Sequence, residues 1–346
     1  MNRGRHLAFA AMAAAALAVV LGLAACGSGQ GSAPAASSSA AATSVSKTGV
    51  DVRVATLKGP TSIGLASLMT KAKAGQTASN YTFTVTEAIS DDVVPGIVKG
   101  TYDIALVPAN VASVLYNKTN GGISAIDINT LGVLSVVTGD SSINSIADLA
   151  GHTVYMTGKG ATPEYVMNYL LDKAGVSDSV TLEYKSEATE VAAALNADTK
   201  AIGILPEPYV TAVTTKNSAL SARVSLDSAW NAAAGDTGSR MVTGVTVVRN
   251  EFLQAHPDVV KEFVAEQKAS VEAVKADPEG NAQAIVDAGI VDNASVAAKA
   301  VPNCNLACIT DTEMQTALTG YYNVLYMADP SSVGGTLPAD NFYWLG

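Results

Sequence analysis

Asp103-Ile104-Ala105-Leu106-Val107-Pro108-Ala109-Asn110 reads as a strand that leaves through a proline into a helix. Its four consecutive apolar residues, bounded by polar or turn residues, mark a strand buried on both faces, as in parallel sheets. Residues 110–117 continue as the helix. Upstream, Val50-Asp51-Val52-Arg53-Val54 and Tyr81-Thr82-Phe83-Thr84-Val85 alternate with period two, as strands do. Between them, Lys58-Gly59-Pro60-Thr61-Ser62 is a turn, and residues 63–74 form a helix that Gly75 stops. Residues 92–99 read as a short helix despite Pro95. The β-α-β-α-β-α order implies an α/β fold with mostly parallel strands and helices on both faces.

The pattern recurs downstream. His152-Thr153-Val154-Tyr155-Met156 is a strand and Gly158-Lys159-Gly160-Ala161-Thr162-Pro163 a turn. Thr162 is placed to cap a helix that has Pro163 in its first turn and runs to Lys173 before Gly175. Residues 180–184 and 201–205 are strands, with a helix over 188–196 between them. Pro206-Glu207-Pro208 opens another helix. A third section has a strand over 245–249 and a long helix over 257–275. Thr310-Asp311-Thr312-Glu313 reads as a capping box before a last helix, whose apolar residues are expected to pack on the first unit.

The N-terminus carries Arg3 and Arg5, an apolar stretch over residues 7–23, and Leu23-Ala24-Ala25-Cys26. Positive start, apolar middle and small residues before a cut describe an export signal over 1–25. The Leu-Ala-Ala-Cys run resembles the lipobox of bacterial lipoproteins. That resemblance implies cleavage before Cys26 and a thiol carrying diacylglycerol, with acyl chains such as palmitate. Multiple acyl chains hold a domain at a membrane, at roughly 0.8 kcal/mol per buried methylene. Residues 26–49 are mostly Gly, Ser, Ala, Thr and Pro, with Lys47 the one charge, a composition expected of a flexible linker.

The remaining chain, near 300 residues, is long enough for two lobes. Hydrophobic residues make up 48% and charged ones 15%, so it is globular. Without the leader it keeps 19 basic against 31 acidic side chains, a net −12. So acidic a chain, with no basic run, argues against a nucleic-acid partner. Cys304 and Cys308, four apart in an exported protein, suggest a local disulfide. No metal or cofactor is expected, since His152 and His256 alone remain after the leader and neither neighbours a Cys.

From about Val50 to Gly346 the chain resembles type II periplasmic binding proteins. It is most similar to the NMT1/THI5-like branch, with receptors for nitrate, taurine, alkanesulfonates and the pyrimidine precursor of thiamine. The stretches that carry this are Leu57-Lys58-Gly59-Pro60-Thr61, residues 103–110 quoted above, Gly158-Lys159-Gly160-Ala161-Thr162-Pro163-Glu164 and Leu205-Pro206-Glu207-Pro208. Their order behind a lipobox is more specific than any one of them. The resemblance implies two lobes, 50–137 with 244–346 and 138–243, joined by two hinge crossings. These are expected near Ser135-Val136-Val137 and Thr243-Gly244-Val245. It also implies a monomer tethered to the bacterial cell membrane by lipid only, on its extracytoplasmic side. There it would deliver a small-molecule solute to an ABC permease and its ATPase.

Ligands of open α/β sheets bind beyond the C-terminal strand ends. Three turns lie there: Lys58, Gly59, Pro60, Thr61 and Ser62; Pro108 and Asn110; and Gly158, Lys159, Gly160, Ala161 and Thr162. Free N–H groups at helix starts suit an anion or a polar ring. Lys58 and Lys159 can add charge, and Glu207 can accept from an amine or ring N–H. Each also has a plain structural role open to it, as solvated lysine, helix cap or helix start. The expected solute is small and polar or anionic: a sulfonate, nitrate or pyrimidine-like compound.

An enzyme on the same fold is the alternative. Gly158-x-Gly160-x-x-Pro163 imitates a dinucleotide fingerprint but has proline where the third glycine belongs. Phosphate-loop, nucleophile-elbow and zinc-protease motifs are missing from the sequence. Pyrimidine synthases related to the branch carry a dense Cys cluster that this chain lacks, and chorismate dehydratases are shorter and unanchored. Capture rather than chemistry is expected.

Overall fold

The computed structural model describes residues 48–346. The export signal, Cys26 and the linker through residue 47 lie outside the described residues. Eleven strands are formed among those described: β1 Asp51–Leu57, β2 Asn80–Thr86, β3 Ile104–Pro108, β4 Ile123–Leu131, β5 Leu134–Thr138, β6 Thr153–Met156, β7 Thr181–Tyr184, β8 Ile202–Pro206, β9 Ser221–Ser225, β10 Val242–Arg249 and β11 Leu306–Ile309. They build a six-stranded sheet, β11-β4-β10-β3-β1-β2, and a five-stranded sheet, β7-β6-β8-β5-β9. The α/β layering and the two repeated units follow the sequence pattern.

The sheets are mixed, where the repeats alone led us to expect mostly parallel ones. β1 runs parallel to β2 and β3, while β10 is antiparallel to both β3 and β4. In the second sheet β6 is parallel to β7 and β8, and β5 is antiparallel to β8 and β9. The antiparallel strands are those next to the passages between sheets, where the chain arrives without a βαβ crossover to fix its direction.

Both passages lie beside, not at, the expected positions. Ser135-Val136-Val137 pairs with Leu205, Ile204 and Gly203 inside the second sheet. The first passage is therefore Gly132-Val133, between β4 and β5. Gly244 and Val245 pair with Pro108 and Val107 in the first sheet, so the return passage is 235–241. The two passages touch. A Cβ on Gly132 would come within 2.9 Å of the Met241 sulfur and within 2.8 Å of Asp227. Only glycine allows that approach.

One apolar core runs under both sheets, with Val107, Ile128 and Val245 of the first joined to Val136, Met156 and Ile204 of the second. Its largest member is Trp230, fully buried, 4.6 Å from the Tyr169 ring and 5.3 Å from the Tyr321 ring. The Asp311–Ala328 helix carries Tyr321 and Tyr322 into this core and packs on β4, β10 and the Thr162–Ala174 helix. It thus leans on elements of both units rather than on the first alone. A separate cluster, including Ile63, Leu68, Phe263 and Ile285, fills the outer side of the first sheet.

Three local expectations are corrected. Cys304 and Cys308 are free thiols, not a disulfide. After Asn305 at φ 43° the chain enters β11, and three extended residues carry Cys308 roughly 10 Å beyond that turn. That is too far for a bridge to Cys304. Burial raises both thiols well above the usual cysteine range, so neither is a ready nucleophile. The capping box expected at Thr310 is not formed, because the Thr310 hydroxyl donates to Asp311 instead. A capping box does occur at Glu187 and Glu190. Thr162 is the first helical residue rather than the cap, and its hydroxyl is spent elsewhere.

Candidate functional site: the cleft between the two sheets

The C-terminal ends of β1, β2 and β3 face those of β6, β7 and β8. At the end of β1, Lys58 N–H donates to Thr86 O and Gly59 N–H to Ile290 O. Gly59, at φ 106°, turns the chain into the short Pro60–Ile63 helix. The Lys58 ammonium lies 2.9 Å from Glu87 Oε1, and both side chains are largely exposed. Glu87 is the main cause of the upward shift of Lys58, followed by weaker attraction to Asp292.

Thr61 and Ser62 were expected to offer hydroxyls to a solute; both are buried under the sheet. Ser62 Oγ donates to Leu57 O and pairs with Thr56 Oγ1. The Thr61 methyl packs so closely on Gly244 that a Cβ there would sit 2.7 Å away. These side chains hold the turn and do not open into the cleft.

Lys58 and Gly59 instead form one wall of a hollow of about 500 Å³. Glu87 and Asp292 complete that wall, and Glu187, Pro208 and Tyr209 form the facing one. Glu207, a neighbour in sequence, turns the other way. It lines a second hollow of about 330 Å³ beside the first passage, with Gly132, Ser135, Thr211 and Asn303. Burial raises its carboxyl above the usual range, and hydrogen bonds from Thr211 and Asn303 oppose the shift. Thr211 N–H donates to its Oε2 at 3.1 Å.

Asn110 and Thr162, 52 residues apart in sequence, meet directly: Thr162 Oγ1 donates to Asn110 Oδ1 at 3.0 Å. Pro108 and Ala109 set the start of the Ala109–Lys118 helix, and Tyr322 OH donates to Ala109 O at 2.9 Å. Tyr321, fully buried, brings its hydroxyl up to Thr162 without completing a hydrogen bond.

The turn over residues 157–161 is shaped by Gly158 at φ 84° and Gly160 at φ 71°. Its anion position is already taken from within the chain. Gly160 N–H donates to Glu164 Oε2, and Tyr184 OH donates to Glu164 Oε1 at 2.7 Å. Lys159 lies 5.6 Å over the Tyr184 ring, within cation–π reach. Burial, with Glu164 next, pushes the Tyr184 hydroxyl above its ordinary range. Sequence reasoning missed Glu164 as a site residue. The available signal was its position three residues after Ala161, the cap, from which Glu side chains reach back over a helix start.

Residues 123–281 match the family model described as NMT1/THI5 like. A search of curated protein sequences finds no match. Among solved structures, one described as an ABC transporter from Parabacteroides distasonis is 21% identical, with a TM-score of 0.68, covering 85% of this chain and 98% of its own. The periplasmic aliphatic sulphonate binding protein SsuA from Escherichia coli is 15% identical at 0.64, covering 85% and 92%. The Candida albicans CA3427 gene product, described as exhibiting the generic periplasmic binding protein structural fold, is 15% identical at 0.53, covering 84% and 92%. This chain has the periplasmic binding protein fold. The family match bears out the NMT1/THI5-like resemblance from β4 through β10 and on to residue 281. In this periplasmic binding protein fold Asn110 meets Thr162, and Lys58 and Gly59 line a hollow with Glu187, Pro208 and Tyr209. Glu207 lines a different hollow, and Thr61 and Ser62 are buried.

Proposed function

We propose that the chain is the extracytoplasmic solute-binding component of an ABC importer, held at the cell membrane by a lipid on Cys26. It captures a small polar solute by closing its two sheet units upon it. The observation that carries this reading is the meeting of Asn110 and Thr162 across the cleft, together with a hollow whose walls come from both units. Closure brings a second set of contacts onto a solute that the open form holds by one set only. The sulphonate-binding and ABC-transporter names of the similar structures support a receptor role. An enzyme is the weaker reading: the hollow's walls bring carboxylates, a lysine and a tyrosine but no histidine, cysteine or serine. His256 sits against Phe252, away from it, with ring centroids 5.0 Å apart.

Native mass spectrometry of the purified chain is expected to show a retained small molecule. Adding that molecule at 100 times its Kd should stabilise the fold by about 2.7 kcal/mol. Thr162→Val, which deletes the bridging bond, should weaken binding about three- to tenfold. A chain that neither retains nor binds any solute, yet turns over a chorismate-like substrate, would make the enzyme alternative the better one.

The lipid anchor has its own test. Cys26→Ser should move the exported protein from the membrane pellet to the soluble fraction and remove a diacylglycerol-sized mass. If the protein stays in the pellet with unchanged mass, lipidation at Cys26 is wrong.

A further inference from the structure

We propose that the cleft takes a cationic solute, an amine or amidinium, and rejects sulfonates and other anions. This rests on the solute-binding reading and names the chemistry of that same cleft. Three groups in the turns were candidates to grip an anion, and each is already engaged by the chain itself. Gly160 N–H is held by the Glu164 carboxylate. The Lys58 ammonium is held by Glu87 at 2.9 Å. Lys159 lies over the Tyr184 ring. An anion arriving at the 157–161 turn therefore meets a fixed carboxylate where a helix start would otherwise attract it.

The hollow has the same sign. Its walls bring one cation, Lys58, against Glu87, Glu187 and Asp292. Glu187 is fixed as the cap of the Ala188–Ala197 helix, so its charge is held in place. Tyr209 and Ile290 add an aromatic and an aliphatic surface for the body of a small organic cation. Carboxylates match an ammonium or amidinium, which brings donors, whereas a sulfonate brings only acceptors.

Calorimetry at low ionic strength, where screening is weakest, tests this with size-matched pairs. The pairs are benzamidinium against benzenesulfonate and butylammonium against butanesulfonate. The cation of each pair should bind at least about tenfold more tightly, the order expected for reversing one charge near carboxylates that outnumber the single lysine. Glu164→Gln and Glu87→Gln keep side-chain size and should narrow that ratio, the second by freeing Lys58. Circular dichroism on both variants confirms that they are folded. A sulfonate that binds the wild-type chain as tightly as its cation overturns the charge assignment and leaves the receptor reading standing. A retained native solute with a net negative charge does the same. If no member of either pair binds and no solute is retained, the receptor reading fails and this inference fails with it.

Discussion

Asp127→Asn is expected to flatten the pH dependence of folding stability and to make the protein more stable than wild type above neutral pH. Asp127 sits in β4, fully buried. Its Oδ1 accepts from Thr246 Oγ1 at 3.0 Å and from Gln267 Nε2 at 2.9 Å. Its Oδ2 and the facing residue's Gln267 Oε1 are both without partners. Two unpaired acceptors on interacting side chains are explained if the carboxyl is protonated and acts as a donor. Burial raises the carboxyl to about 7, with the Thr246 and Gln267 bonds pulling the other way.

The folded value thus lies above the unfolded value of 3.8, and the folded state keeps a proton that the unfolded state has released. The stabilisation is complete below the unfolded value and is lost as pH rises through about 7. At about 1.4 kcal/mol per unit, wild type should lose roughly 3 kcal/mol between pH 4.5 and pH 8 through this one group. The Asn variant has no such proton, and its amide can donate toward Gln267. Urea unfolding of both proteins across that range gives the answer. Parallel profiles would mean that Asp127 is ionised throughout.

Trp230→Ala should cost about 3–5 kcal/mol of stability. The indole is enclosed by Tyr169 and Tyr321, and its Nε1–H donates to the buried Ser239 Oγ at 3.2 Å. Removal leaves a cavity and an unpaired hydroxyl together. Trp230→Phe keeps most of the ring contact and should lose markedly less. Equilibrium unfolding of the two variants separates the packing loss from the hydrogen bond. A loss under 1 kcal/mol in the alanine variant would show that the surrounding core collapses onto the site.

The strands that were legible in the sequence are those whose burial is apolar and bounded by punctuation. β1, β3 and β8 read cleanly, each ending at a glycine or proline that starts a helix. β4 was not legible, although it is central, because Ser124, Asp127, Asn129 and Thr130 are polar and buried all the same. Their partners lie on other segments, as Thr246 and Gln267 do for Asp127. Strand direction near the passages was illegible for a similar reason, since pairing across the sheet decides it.

In the cleft, topology pointed to the turns at the strand ends but not to which side chains line the hollow there. Lys58 and Glu87 are 29 positions apart, and nothing local marks them as a pair. Thr61 and Ser62 look like free hydroxyl donors in the sequence, yet the strand they follow consumes them. Glu207 and Tyr209 flank a proline and face different hollows.

The Asp311–Ala328 helix has a consequence for how such a protein lets go of what it holds. Tyr322 ties that helix to Ala109 on one side, while Tyr321 is wedged against Trp230 on the other. A jaw swinging freely on two strands would have to pull those rings apart and wet them. Release is therefore expected to proceed by slippage of rings along one another, a shear of small amplitude. The exit rate of the cargo then depends on greasy friction far from the cargo itself.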